Sequence, residues 1–473
     1  VEEDVDTETL AKLPYDPHTW IEIPNAGPSS VDRKYGHVSA LYPELSDFRR
    51  NPDLSWYCGA DFMREEHAGL WSKVWTCAGR LADVKEPGSY FRYRLGTESI
   101  VVTRSLQGNV RAFFNVCQHR GRELVDHDFG NGAQFVCPFH SWRFDLEGRN
   151  TRVTDDDLFS EEALEGDLNL RPLKCETWGG FVFVNIDLDA EPLTDFLKDV
   201  PELMAAYDME NMHVVQDIVL ALDCNWKVAL EAFIEGYHTH SSHPQVLPVL
   251  DDYHEQTDVF GNGHSRMSTP LAIPSPRMKG DNLNIGLRMM LEDVGIDPDS
   301  FEGGASDVFP AILAAKRQPG FCNGLDYSRM TDSQIMSNWN YFVFPNMTLN
   351  CQPEGIISMR FLPHGKDPSK SYYHSVVIAP KMAEGYRPPA YIGIPDDADT
   401  SGRTRPKRKF TTTDNPQLGE VIDQDISNME AVQRGLESQG LPGGMRFAER
   451  EMRLQVLHAE IQRYLDRAER AAR

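Results

Sequence analysis

The sequence predicts an α+β fold, with a small antiparallel β domain inserted before a larger mixed domain whose antiparallel sheet is flanked by helices. Three observations carry this. The hydrophobic period is helical over 60–76 and then changes. Short runs rich in β-branched and aromatic residues follow, separated by Pro87-Gly88, Gly96 and Gly108-Asn109. From residue 190 onward helix and strand patterns mix, and the chain closes on two amphipathic helices.

The elements follow in order. Residues 1–55 are rich in Pro, Asp and Ser and predict an irregular arm. Phe62, His67, Leu70, Trp71 and Val74 recur at helical spacing. Strands are predicted at 90–94, 99–103 and 110–115, and 180–186 closes the small domain. The expected layout is 1–74 as an arm and helix packed on the larger domain, 75–187 as the β domain and 188–473 as the larger domain. Within the last, 193–207 predicts a helix, 213–222 a strand and 225–238 a helix. Residues 245–335 show little period and much Gly, Pro and Asp, which predicts a long functional loop. Strands follow at 339–344, 347–351, 356–362 and 372–378, then helices over 416–437 and 447–468.

Charge and composition exclude several function classes. The 473 residues carry a net charge of −25, with 40% hydrophobic and 25% charged residues, an ordinary globular balance. Nucleic acid and anionic membrane surfaces both select basic proteins, so neither is expected as a partner. No apolar run reaches the ~18–20 residues of a membrane-spanning helix. The acidic first residues lack an apolar core, so the expectation is a cytoplasmic, bacterial protein without a targeting peptide. Eight cysteines are too sparse for a disulfide scaffold. Cys58, Cys77, Cys175, Cys224, Cys322 and Cys351 stand alone and read as small apolar side chains.

Cys117 and Cys137 differ, because each has a histidine at ligand spacing. Cys117-x-His119 is followed, after 17 residues, by Cys137-x-x-His140. Thiolate with imidazole selects Zn²⁺ or an iron–sulfur cluster. A structural zinc site usually pairs Cys with Cys and His with His. Here each arm supplies one of each, which suits two loops clamping a [2Fe-2S] cluster, both cysteines on one iron and both histidines on the other. Such ligation raises the potential to about −150 to +300 mV, against about −400 mV for all-cysteine ferredoxins. Gly121 and Pro138 fit tight loops, and Phe139 and Trp142 are candidates for shielding the cluster. His127 reads as a surface residue.

A second constellation lies in N-W-K-V-A-L-E-A-F-I-E-G-Y-H-T-H-S-S-H-P. Trp226, Leu230, Phe233 and Tyr237 form an apolar helical face; Glu231, Glu235 and His238 form another. His238 and His243 would diverge by about 140° on one continuous helix. They meet on one metal only if the helix stops between them, and Ser241, Ser242 and Pro244 supply that stop. His240 competes as a ligand. Further on, Asp425 interrupts the apolar stripe Leu418, Val421, Ile422, Met429, Val432 and Leu436, while Asp423 falls on the solvated side. A carboxylate on such a stripe needs a metal or a buried Arg or Lys.

C-x-H-R-G…C-x-x-H-x-W resembles the Rieske domain of the Rieske non-haem iron oxygenases, the ring-hydroxylating oxygenase α subunits. Ser141 stands where that family usually has Gly. The resemblance covers roughly residues 50–470. His238 and His243 match the family's H-x4-H, and V-I-D-Q-D-I-S-N-M-E is similar to its third-ligand helix. The resemblance therefore implies a mononuclear Fe(II) held by His238, His243 and Asp425, besides a Rieske cluster on Cys117, His119, Cys137 and His140. It also implies a homotrimer (α3) or an α3β3 ring, in which one subunit's cluster reduces its neighbour's iron. An acidic residue joins cluster and iron histidines in that family; the position falls on Glu235, where Asp is more usual. The family's Glu-Asn after N-W-K is here Glu231-Ala232.

The implied activity is that of a terminal oxygenase. It takes O2 and electrons from NAD(P)H through a separate flavin reductase, with or without a ferredoxin. No G-x-G-x-x-G follows a predicted strand, so nicotinamide and flavin belong to the partner. The expected substrate is a small hydrophobic, aromatic compound that is hydroxylated, as in aromatic hydrocarbon catabolism. Oxidative N- or O-dealkylation of an aromatic xenobiotic or a quaternary amine is the alternative, and a Rieske electron carrier or a zinc-stabilised interaction protein are further readings. Phe233, Met289, Met290 and Phe344 are candidates for the pocket. Residues 111–152 hold six Arg and five Asp or Glu, a local relief of the acidic surface that would suit an acidic electron donor.

Overall fold

The computed structural model describes residues 41–42, 52–321, 323–386, 388–389, 392–395, 398–441 and 444–472. Most of the expected N-terminal arm and Cys322 lie outside the described residues. The chain divides into two compact units, one built mainly on residues 59–201 and the other mainly on 202–361 and 369–460.

The first unit carries strands β1 (Thr76–Arg80), β2 (Ser89–Leu95), β3 (Glu98–Arg104), β4 (Val110–Phe114), β5 (Phe129–Asn131), β6 (Phe135–Val136), β7 (Arg143–Phe144), β8 (Asn150–Arg152), β9 (Pro172–Trp178) and β10 (Phe181–Asn185). Seven of them form one sheet in the order β1-β10-β9-β4-β3-β2-β5, and β6-β7-β8 form a second. The alternation that predicts β2 is real: Phe91, Tyr93 and Leu95 are buried, with Arg92 and Arg94 between them. A core of Phe113, Phe135, Trp142, Phe144, Leu146 and Leu170 fills the space beneath the two cysteine-bearing loops. The sequence reading packs 1–74 on the larger domain; residues 59–74 instead group with this unit. The cause is local packing, since Gly69 lies against Leu465 and Ala468 of the same unit. Helix Ala60–Glu66 runs on into a wider turn, His67–Trp71.

The second unit is built on β11 (His213–Leu222), β12 (Gln256–Val259), β13 (Ser265–Pro270), β14 (Ser337–Val343), β15 (Met347–Gln352), β16 (Gly355–Pro363), β17 (Ser371–Ala379) and β18 (Lys409–Thr411). Their order is β12-β13-β14-β15-β16-β17-β11-β18. β18 is parallel to β11, and no periodicity announces its three residues. Charge holds that segment in place. Arg405 and Arg408 bond the fully buried Asp217 of β11 at 2.7 and 3.1 Å, and His374 bonds the same carboxylate at 2.7 Å.

Three further expectations are corrected. The 245–335 segment is not a long loop: it contributes β12, β13 and helices Ile285–Glu292, Val308–Lys316 and Asp332–Met336. Leu287, Leu291, Val308, Ile312, Ile335 and Met336 close a core of their own there. Leu287, Met290 and Leu291, and Val308 and Ile312, do fall at helical spacing, but each run is brief, and Asn284 and the Thr331/Gln334 box cap two of the helices. The expected 193–207 helix is two pieces, Leu193–Leu197 and Val200–Met204, broken where Lys198 takes φ 53°. The expected 225–238 helix stops at Glu231.

Candidate metal centres

Two loops of the first unit present Cys117, His119, Cys137 and His140, and they are built alike. Cys117 N–H donates to the Arg122 carbonyl (2.9 Å) and Gly121 N–H to the Cys117 carbonyl (3.1 Å). In the other loop Cys137 N–H donates to the Trp142 carbonyl (2.9 Å) and Ser141 N–H to the Cys137 carbonyl (3.0 Å). The matched positions Gly121 and Ser141 take φ 76° and 61°. Glycine adopts that conformation freely, whereas serine does so at a cost. Ser141→Gly is expected to stabilise the protein by about 1 kcal/mol, read as a higher denaturant midpoint. An unchanged midpoint would mean that the serine side chain makes a compensating contact.

Asn115, which the sequence reading passed over, ties down the base of the first loop. Its side chain donates to Ser99 Oγ (3.0 Å) and the Val125 carbonyl (2.9 Å), and accepts from the N–H groups of Leu124 (2.9 Å) and Val125 (3.0 Å). No periodicity marks such a residue.

The donor set fits a two-iron cluster. Both thiols are buried, and Nδ1 of His119 and Nδ1 of His140 are buried without a hydrogen-bond partner. Buried polar atoms are rarely left so. The two imidazoles lie edge to face with centroids 4.6 Å apart. Burial pushes the Cys117 thiol up to about 11, against backbone N–H groups of His119 and Arg120 that favour the thiolate. Among the described residues, the two Cys and two His do not bring three ligand atoms within 4.8 Å of one another, whereas a tetrahedral zinc site would. Trp142 is buried and stacks on His119 at 5.1 Å, with Phe159 edge-on at 5.7 Å. Phe139 lies 3.8 Å from His140 but is 56% exposed, so it shields only one side. His127 is exposed, as expected. Three of the six arginines of 111–152 are paired locally: Arg111 with Glu147, Arg122 with Asp126 and Arg149 with Asp145.

In the second unit, Asn225 Oδ1 accepts the Lys227 N–H and starts helix Trp226–Glu231. The sequence reading places Glu231, Glu235 and His238 on one helical face; the early stop separates them. Glu231 Oε1 turns to Tyr57 Oη (2.7 Å) and His458 Nε2 (2.8 Å). Tyr237, read as apolar face, is 48% exposed. The Glu235 carboxylate accepts the N–H groups of Tyr237 and His238, just ahead of the turn Thr239–Ser242. His238 stands at the start of that turn and His243 at its end, where Pro244 stops it. This is the break their convergence requires.

His238 Nε2, His243 Nε2 and Asp425 Oδ1 meet at 3.2, 2.9 and 3.3 Å. Among the described residues they are the one group of three such side chains converging on a single point, and His240 is outside it. Their outer atoms are also held. Glu235 Oε1 bonds His238 Nδ1 at 2.5 Å, and Gln424 Oε1 bonds His243 Nδ1 at 2.7 Å. The sequence reading passed over Gln424, although it adjoins Asp425. Burial disfavours a charged His238, yet bonds to Asp425 and Glu235 outweigh it and push its pKa up to about 10. Burial likewise works to raise the Asp425 carboxyl, but its two histidines hold it below the usual range. Two imidazole nitrogens and a carboxylate oxygen converging on one buried point are a donor set that fits a divalent ion.

Helix Glu420–Leu436 carries Asp425 on a buried face of Ile422, Ile426, Met429, Gln433 and Leu436. Val421 and Val432, read as part of that stripe, are 39% and 47% exposed. Asp423 is half-buried and accepts the Leu418 N–H, rather than being fully solvated. Of the pocket candidates, Phe233 packs on Phe361 and Tyr373, Met290 and Phe344 are core residues, and Met289 is exposed. No helix among the described residues is long and apolar enough to cross a membrane.

Comparisons with known proteins agree with this arrangement. Residues 74–158 match the Rieske [2Fe-2S] domain, and residues 209–467 match the ring hydroxylating alpha subunit catalytic domain. The glycine betaine monooxygenase oxygenase subunit of Pseudomonas aeruginosa is 31% identical over 65% of this chain and 72% of its own length. The carnitine monooxygenase oxygenase subunit of Acinetobacter pittii is 30% identical over 44% of this chain and 58% of its own. A solved quaternary ammonium Rieske monooxygenase superposes with a TM-score of 0.61 at 20% identity, covering 87% of this chain and 94% of that one. Naphthalene 1,2-dioxygenase does so with 0.61 at 18%, covering 87% and 91%. The chain belongs to the ring-hydroxylating oxygenase α-subunit family and is a Rieske-type oxidoreductase, with a [2Fe-2S] domain ahead of a non-haem iron catalytic domain.

Proposed function

We propose that the chain is the terminal oxygenase of a monooxygenase system acting on a quaternary ammonium compound. The observation that carries this reading is the likeness to relatives named for glycine betaine, carnitine and choline, and the charge around His238 agrees with it. Glu235, Glu255 and Glu451 interact electrostatically there, with Glu231 beside Glu451. Burial, with Glu235 adding, pushes Glu255 up to about 7 despite Arg450, and burial with Glu235 and Glu231 pushes Glu451 to about 7. Arg450, paired with Glu255, and the buried Arg453 offset part of this charge, and the remainder suits a cationic substrate. Relatives named for glycine betaine, carnitine and choline support the same class. A dinitrotoluene dioxygenase component is also similar, at 29% identity over 40% of this chain, and keeps aromatic hydroxylation as the second reading.

In this reading Cys117 and Cys137 hold one cluster iron and His119 and His140 the other. His238, His243 and Asp425 hold a mononuclear iron, which supplies O2 activation at its open positions when bound. Glu235 fixes the His238 proton on Nδ1, leaving Nε2 free to ligate. In a homotrimer the same carboxylate links His238 to a neighbouring subunit's cluster. Electrons come from NAD(P)H through a partner reductase or ferredoxin. The proposed domains are 75–187 for the cluster and 188–473 for catalysis. The test is O2 uptake by the reduced, iron-loaded enzyme with glycine betaine, choline, carnitine and naphthalene, with products identified by mass. Uptake and an oxidised product with one of the trimethylammonium compounds are expected; turnover of naphthalene alone would overturn the substrate class.

A further inference from the structure

Each iron-binding imidazole must keep its proton on Nδ1 if Nε2 is to ligate. For His238 a carboxylate settles this, because Glu235 can only accept. For His243 the partner is a carboxamide, which can present either its oxygen or its NH2. With the oxygen toward His243, Nδ1 carries the proton and Nε2 keeps its lone pair. With the NH2 toward it, Nδ1 accepts, Nε2 is protonated, and the nitrogen facing His238 and Asp425 cannot bind a metal. The same Gln424 Oε1 that meets His243 Nδ1 at 2.7 Å also accepts from Gln245 Nε2 at 2.8 Å.

We propose that Gln245 is a positioning residue that sets the orientation of the Gln424 amide and, through it, the metal-binding tautomer of His243. The proposal rests on the ligand set assigned above. Turning Gln424 alone would bring two NH2 groups face to face. Turning both amides together would restore that bond but place the Gln245 NH2 where its Oε1 now sits, buried and without a partner. A buried amide with orphan donors costs more than one under-satisfied oxygen, so the observed orientation is preferred. Position also favours the role. Gln245 follows His243 by two residues in the turn Pro244–Val246, and Gln424 precedes Asp425, so one pair of amides braces two ligands from distant parts of the chain.

The experiment titrates cluster-loaded protein, freed of mononuclear iron, with Co(II) under argon and follows the cobalt absorption. Gln245→Leu and Gln245→Met are expected to weaken Co(II) binding about 10- to 100-fold, with cluster absorbance unchanged. In a Gln424→Glu background the same substitutions are expected to have no effect, because a carboxylate accepts from His243 whatever stands at position 245. A packing role for Gln245 would give the same loss in both backgrounds, and that result overturns the proposal, as does unchanged affinity in the single variants. Asp425→Ala is run alongside: if it too leaves Co(II) affinity unchanged, the ligand assignment fails rather than the relay alone.

Discussion

Asp425→Ala is expected to abolish turnover and to lower bound iron from about three to about two per chain, while the visible absorbance of the cluster persists. The reasoning is geometric. Asp425 is 6% exposed and its Oδ1 lies 2.9 Å from His243 and 3.3 Å from His238. It is the anionic member of the group, so without it two neutral imidazoles face a divalent ion alone. Iron analysis with O2 uptake checks the result. Retained activity would mean that the third ligand lies elsewhere.

The second large effect is expected at Gly236, between the carboxylate and the histidine that it orients. A Cβ built on Gly236 falls 1.9 Å from Glu255 Oε1. Glu255 is buried and its other oxygen pairs with Arg450 at 2.7 Å. Gly236→Ala must therefore push a buried carboxylate off its partner or distort the Glu235–His238 turn. Breaking a buried pair costs about 3–5 kcal/mol. A lower unfolding midpoint and loss of the mononuclear metal are expected together. A variant with wild-type stability and full iron content would show that Glu255 moves aside freely.

Much of both metal sites is legible in residue order. Cys117-x-His119 and Cys137-x-x-His140 are ligand pairs that a short loop brings together without help from distant chain. The break after His238 is equally local, because Pro244 stops the turn. Elements with sustained alternation, such as β2, are legible for the same reason. The failures share a cause too. Helix Trp226–Glu231 stops early, and beyond it the Glu235 side chain rather than the backbone takes the N–H groups of Tyr237 and His238, which propensity alone does not foresee. The helices between 285 and 336 show their period only briefly among Gly, Pro and Asp, and a core they build mainly with one another holds them. β18 exists through ion pairs to Asp217, about 190 residues away.

The division is then one of range. Residue type and spacing decide that the chain holds a two-iron cluster and has the makings of a three-ligand site, since ligand chemistry resides in single side chains and short loops. Only the tertiary structure brings Asp425, the carboxylate singled out by the resemblance, against His238 and His243, turns Glu231 to Tyr57 and His458, and sets Gln424 and Gln245 beside His243. Those contacts join residues more than 170 positions apart, and hydrogen bonds at about 3 Å depend on the packing of whole elements, which no local pattern encodes.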